Sequence, residues 1–260
     1  MRSYLAFAMS LIVAGAAMAH AASAPVFAQA VSTRSAAAAP LEGVQQPQQA
    51  ATPDDYRYLQ FLPRGYRALP HQQWPIVIFL HGSGERGADV EKVRVNGPPK
   101  IIADHPGFPA ILISPQVDMD QDWDTAKLDR LLAHLRRKLR VDASRIYLTG
   151  LSLGGHATWL WATERPELFA AIAPVAGWGD PASACRLKDV PVWAFHGDSD
   201  DVVAPKGSVE MVEAVKACKG AAPAWLTLYP ATNHGSWVPT YDDPAFYRWL
   251  LEQRREQPAP

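Results

Sequence analysis

Cysteine is scarce in this chain: only Cys185 and Cys218 occur in 260 residues. There is no CxxC pair and no Cys/His set at zinc spacing. That excludes a small disulfide-built scaffold and the common structural zinc modules. The two thiols either pair in an oxidising compartment or are unrelated, and the sequence leaves both readings open. Charge of one sign is lacking too. Lys and Arg number 25 against 26 Asp and Glu, for a formal net charge of -1. No basic surplus is available to bind nucleic acid. No apolar run approaches the ~20 residues of a membrane-crossing helix. H-E-x-x-H, an EF-hand loop and a phosphate loop ending in Lys-Ser/Thr are all missing, as is any internal repeat.

What is present begins with an address label. Arg2 supplies a positive start, and Leu5–Ala17 is apolar and uncharged. This pattern predicts a secretory signal peptide rather than an uncleaved anchor. Small-residue cleavage patterns end at Ala19, Ala24 and Ala30. The last is preferred, because Pro25 ends the apolar helix just ahead of it. The expected signal peptide is therefore 1–30, with a periplasmic or secreted product and no stable membrane insertion after cleavage. From Val31 to Asp54 the chain is rich in Ala, Gln, Pro, Ser and Thr and lacks apolar periodicity. A disordered linker is expected over 31–54, leaving one domain over 55–255.

In that domain, strand-like and helix-like segments alternate. Tyr56–Leu62 reads as an edge strand. Ile76–Leu80 and Ala110–Ser114 are continuous apolar runs of the kind buried on both sheet faces. Leu128–Leu139 has helical spacing. Arg145–Thr149 reads as a strand and Gly154–Thr163 as a helix ending near Pro166. Ala170–Val175 and Val192–His196 are strand-like, Ser208–Cys218 helical, Leu226–Tyr229 a strand and Ala245–Gln253 a closing helix. The alternation predicts an α/β fold with a mainly parallel central sheet and helices on both faces. Function in such sheets collects at the C-terminal ends of the strands.

The strongest chemical signal is Gly150-Leu151-Ser152-Leu153-Gly154. It fits G-x-S-x-G between a strand and a helix, the setting of a nucleophile elbow. A serine hydroxyl needs a base, and in this setting the chain order is Ser, then acid, then His. The loop His196-Gly197-Asp198-Ser199-Asp200-Asp201 supplies the acid. Asp200 is preferred and Asp201 is the alternative. His234 is the only histidine after that loop, so it is the candidate base. A developing oxyanion needs fixed donors. The Leu153 N–H is one expectation. The other is the Ser83 N–H, in the glycine-rich loop His81–Gly87. His81 itself reads as a buried brace for that loop. Trp123, Trp178 and Trp237 fall on expected loops, where each is a candidate for packing or for the cleft wall.

The segments LHGSGERG (80–87), RIYLTGLSLGG (145–155), FHGDSDDVV (195–203) and NHGSW (233–237) resemble the phospholipase/carboxylesterase and dienelactone-hydrolase branch of the α/β-hydrolases. Within it the chain is similar to bacterial proteins described as peptidases, esterases or polyhydroxybutyrate-depolymerase-like. The resemblance covers about residues 56–253. It implies Asp200 as the acid and Ser83 as the second oxyanion donor, with no metal and no organic cofactor. Many relatives have Pro after the acid, where this chain has Asp201. The dienelactone enzymes use Cys as nucleophile, and Ser152 here favours ordinary ester hydrolysis.

The expectation is an exported serine carboxylic-ester hydrolase without a large lid, acting on a small-molecule or polymer ester through an acyl-enzyme. A serine peptidase and a non-catalytic binding protein on a hydrolase scaffold are the alternatives.

Overall fold

The computed structural model describes residues 41–255. The expected signal peptide, its cleavage site and the first part of the expected linker lie outside them. Among the described residues, eight strands form one sheet: β1 (Gln45–Gln48), β2 (Arg57–Phe61), β3 (Trp74–Leu80), β4 (Ile111–Gln116), β5 (Val141–Leu151), β6 (Ala171–Val175), β7 (Val192–Gly197) and β8 (Ala224–Tyr229). Their order is β1-β2-β4-β3-β5-β6-β7-β8. The pairs β1–β2 and β2–β4 are antiparallel; all the others are parallel.

The apolar runs occupy the middle of the sheet because both faces there are covered. Side chains alternate between two cores. Ile76, Ile78 and Leu80 of β3 join one core, which takes in Leu128, Leu132 and Leu135 of α2 (Thr125–Lys138) and Met211 and Val212 of α4 (Lys206–Ala217). Val77 and Phe79 enter the other, with Ile102 of α1 (Gly97–Asp104) and Phe246 and Leu250 of α6 (Pro244–Glu252). The helix α3 (Leu153–Glu164) is buried on nearly every side, and its Trp159 and Trp161 are wholly enclosed. Asp124 caps α2 by accepting from the Lys127 N–H at 3.1 Å. A short α5 (Trp237–Asp242) precedes α6.

Two expectations change at the sheet margin. Residues 41–54 are not a featureless linker, because Gln45–Gln48 forms β1 against Tyr58–Phe61. Tyr56–Leu62 is consequently not the edge. A polar segment can make such a strand because pairing uses the backbone, and few side-chain contacts fix it. Gln45 donates from Nε2 to Pro99 O at 2.6 Å, and the Glu42 carboxylate accepts from the Gly65 and Arg67 N–H groups. The helix α1 had no sequence expectation, since Pro98 and Pro99 disguise it; they sit in its first turn, where proline is tolerated.

Cys185 and Cys218 are disulfide-bonded, with Cα atoms 5.4 Å apart. The bridge ties the 3₁₀ turn Pro181–Leu187 to the end of α4.

Candidate active site

Ser152 stands between β5 and α3 with φ +53° and ψ -115°. A non-glycine residue there stores about 1–3 kcal/mol of strain. The turn is tight because its flanking glycines touch backbone. A Cβ on Gly154 would lie 1.9 Å from Leu80 O, and one on Gly150 would lie 2.4 Å from Gly154 O. The Ser152 N–H donates to Val175 O at 2.9 Å, which ties the elbow to β6. Below it, Tyr241 Oη lies 2.9 Å from Thr149 Oγ1, whose hydroxyl donates to Ala173 O at 2.6 Å. The tyrosine thus donates to the threonine, fixing α5 to β5 just ahead of the elbow.

Asp200 follows β7, and His234 follows β8. The two loops are stitched together by the Ser199 N–H on Thr232 O (3.1 Å) and the Asp198 N–H on Tyr229 O (3.0 Å). His234 Nε2 lies 2.9 Å from Ser152 Oγ, and its Nδ1 lies 2.8 Å from Asp200 Oδ2. Asp200 Oδ1 accepts from the Val202 and Val203 N–H groups, both at 2.9 Å. Burial works to raise the Asp200 pKa, but the bonds from His234, Val203 and Val202 outweigh it, and the carboxyl sits below its ordinary value. Asp201, the alternative acid, is exposed. The structure therefore brings Ser152, His234 and Asp200 into one hydrogen-bonded chain. The indole of Trp237 meets His234 edge-on, with centroids 5.1 Å apart.

Ser83 opens the 3₁₀ turn Ser83–Glu85 after β3. Leu153 is the first residue of α3, so its N–H is among those a helix leaves without an internal acceptor. Gly82 comes close to the elbow: a Cβ on it would be 3.5 Å from Ser152 Cβ. The Ser83 loop and the start of α3 therefore both adjoin the serine.

His81 is wholly buried beneath the first of these loops. Its Nδ1 donates to Gly82 O at 2.6 Å, and its Nε2 accepts from the Val117 N–H at 3.1 Å. Burial holds its pKa down at about 4, so the ring is a neutral brace. Trp123 packs on it and donates to His81 O at 3.2 Å. That assigns Trp123 to packing. Glu85, another buried group of this loop, is held by Asn96 Nδ2 at its carboxylate and by Gln116 Nε2 at its carbonyl.

His196 was not expected at the site, yet its Nε2 lies 3.1 Å from Asp200 Oδ2. The His-Gly pair opening the acid loop was the only signal for it.

A parallel sheet with an antiparallel margin, a strained serine between strand and helix, and an acid and a histidine on the next strand ends define an α/β-hydrolase. The chain belongs to the family described as "Putative esterase", whose model matches residues 105–242, just over half of the chain. That match includes Ser152, Asp200 and His234 but not Ser83. The chain is 26% identical over 136 residues to the bifunctional acetylxylan esterase/xylanase XynS20E of Neocallimastix patriciarum, covering 50% of this chain and 20% of that protein. It is 26% identical over 162 residues to a protein of Aspergillus terreus named "Probable feruloyl esterase C", covering 59% and 58%. Among solved structures it is similar to a thermostable esterase, with 30% identity, a TM-score of 0.69, and 82% of this chain and 63% of that one covered. The chain thus spans less than two thirds of each of these proteins.

Proposed function

We propose that this protein is an exported serine hydrolase that cleaves carboxylic esters through Ser152, His234 and Asp200. The observation that supports it most is the continuous chain Ser152 Oγ–His234–Asp200, with contacts of 2.9 and 2.8 Å. Fold alone does not fix chemistry. This arrangement is what a hydroxyl needs to become a nucleophile.

Asp200 stays ionised and holds a hydrogen on His234 Nδ1. Nε2 is then the free base facing Ser152. Ser152 Oγ attacks the ester carbonyl carbon as Nε2 takes its proton. The carbonyl oxygen becomes an oxyanion and accepts from the Leu153 and Ser83 N–H groups. His234 returns the proton to the departing alcohol oxygen, leaving an acyl-Ser152. Water then attacks this ester with the same base, releasing the acid and restoring the serine. The similarity to an acetylxylan esterase and a feruloyl esterase supports small acyl groups on a polymer as substrates.

Export completes the reading. Residues 1–30 act as the signal peptide, and the Cys185–Cys218 bridge suits an oxidising compartment.

The test is hydrolysis of p-nitrophenyl acetate, butyrate and octanoate by protein lacking residues 1–30, beside Ser152→Ala. Activity in the first that falls roughly 10⁴-fold or more in the second is expected. Activity surviving in Ser152→Ala removes the serine from its role. Cell fractionation with N-terminal sequencing tests export, and the full-length chain recovered from the cytoplasm rejects it.

A further inference from the structure

Most tryptophans here are core, but Trp178 belongs to neither hydrophobic core. It is 36% exposed, whereas Trp159 and Trp161 are sealed off. It follows β6 through Ala176 and Gly177, at the C-terminal end of the strand next to β5.

Its indole stacks on the imidazole of His156, with centroids 4.4 Å apart and planes within 7°. His156 Nδ1 lies 2.9 Å from Trp178 O. A carbonyl only accepts, so Nδ1 bears the hydrogen; on the neutral ring, Nε2 keeps a free lone pair. The indole is also held at its root. A Cβ on Gly207 would come within 2.7 Å of Trp178 Cβ, so the backbone of α4 lies directly against it. One ring face is covered by His156, and the residue as a whole keeps 36% of its surface exposed.

The position of this pair is set by Ser152. The His156 N–H donates to Ser152 O at 2.9 Å, four residues, or about 6 Å, along α3. Side chains on a helix lean toward its N-terminus, here toward the serine.

We propose that Trp178 and His156 form a subsite that stacks the flat face of a ring carried by the substrate, next to the scissile ester. This rests on the esterase reading above. A partly exposed indole immobilised by its stack on His156 suits a phenyl ring or the apolar face of a sugar. His156 Nε2 is placed to accept from a hydroxyl on that ring. Because both rings are already fixed, a ligand loses little of its binding energy to ordering them. A flexible alkyl chain uses neither the flat face nor the acceptor.

The experiment compares kcat/KM for three esters in the wild type, Trp178→Ala, Trp178→Phe and His156→Ala. Methyl 4-hydroxycinnamate has its ring on the acyl side, acetylated xylobiose has its rings on the alcohol side, and methyl butyrate has none. The expected result is a ring-to-butyrate ratio about tenfold lower in Trp178→Ala for one of the two ring esters, with a partial return in Trp178→Phe. Which ring ester responds identifies the side of the ester that the subsite holds. Ratios unchanged within about twofold, or ring and ring-free esters falling together, overturn the proposal. If Trp178→Ala does not fold, the same ratio in the half-exposed His156→Ala decides it. If the wild type hydrolyses none of the three, the esterase reading fails. Calorimetric binding of 4-hydroxycinnamate and xylobiose then tests the subsite alone. Binding lost in Trp178→Ala upholds it; no binding, or equal binding, rejects it.

Discussion

Asp200 and His196 meet at 3.1 Å with neither side chain exposed. His196 Nε2 also lies 2.9 Å from Val203 O. That oxygen only accepts, so Nε2 bears a hydrogen. Burial depresses the His196 pKa, which favours the neutral ring. Nδ1 then accepts from the Ser208 hydroxyl at 2.8 Å, in competition with Gly177 O at 3.1 Å for the same proton. Asp200 is thus flanked by a neutral donor, which in the proposed mechanism adds no second positive charge to compete with an imidazolium on His234.

His196→Ala should remove the donor that faces both Val203 O and Asp200 Oδ2, while Ser208 keeps Gly177 O as an acceptor. Each buried group left unsatisfied costs about 1–3 kcal/mol. A loss of at least ~2 kcal/mol is expected in urea unfolding, with a lower kcat. His196→Gln, which keeps an N–H donor, should recover part of both. Unchanged stability in His196→Ala would remove it from this role.

Ser152 allows a trade between strain and activity to be measured. Ser152→Ala and Ser152→Gly both lack the proposed nucleophile. Only glycine relieves the positive φ, so Ser152→Gly should be more stable than Ser152→Ala by about 1 kcal/mol. Parallel thermal melts of the two variants check this, and equal melting temperatures would count against stored strain.

His81 gives stability a pH dependence with a definite sign. Its folded pKa of about 4 lies below the unfolded value of 6.5. Between these values the unfolded chain binds the proton and the folded one does not, so stability falls as pH drops through that window. The total is about 3 kcal/mol. His196 contributes with the same sign. The lowered pKa of Asp200 acts below its ordinary value of 3.8, again weakening the fold as pH falls. Urea midpoints at pH 7 and pH 4.5 should converge in His81→Gln relative to the wild type.

The disulfide closes a sequence separation of 33 residues. Loop-closure entropy for that length gives about 3–4 kcal/mol. A reductant should lower the melting temperature of the wild type and leave that of a Cys185→Ser/Cys218→Ser double variant unmoved.

Much of this was readable from residues whose pattern expresses a physical demand. Ile76–Leu80 must be buried on both faces, so its run is continuous. Gly150 and Gly154 must admit backbone, so they frame Ser152 visibly. The order Ser152, Asp200, His234 follows from the chain alone, although choosing Asp200 over Asp201 leaned on family resemblance. The unreadable parts are those in which one residue serves another across the fold. His196 shows no periodicity, and its partners Val203 and Ser208 are ordinary residues. Trp178 and Trp123 look alike in sequence, yet one is partly exposed beside the elbow and the other lies under a loop. The strand β1 has no apolar residue to announce it except Pro47.

That strand also bears on how the molecule is handled and kept apart from its copies. Its Pro47 offers no N–H, so the outer rim of the sheet presents a broken ladder that a neighbouring chain cannot readily extend. A trimmed protein beginning at residue 55 would discard this cover and leave the full length of Arg57–Phe61 unpaired on one side. Such a preparation invites edge-to-edge aggregation, and a start at or before Leu41 avoids it.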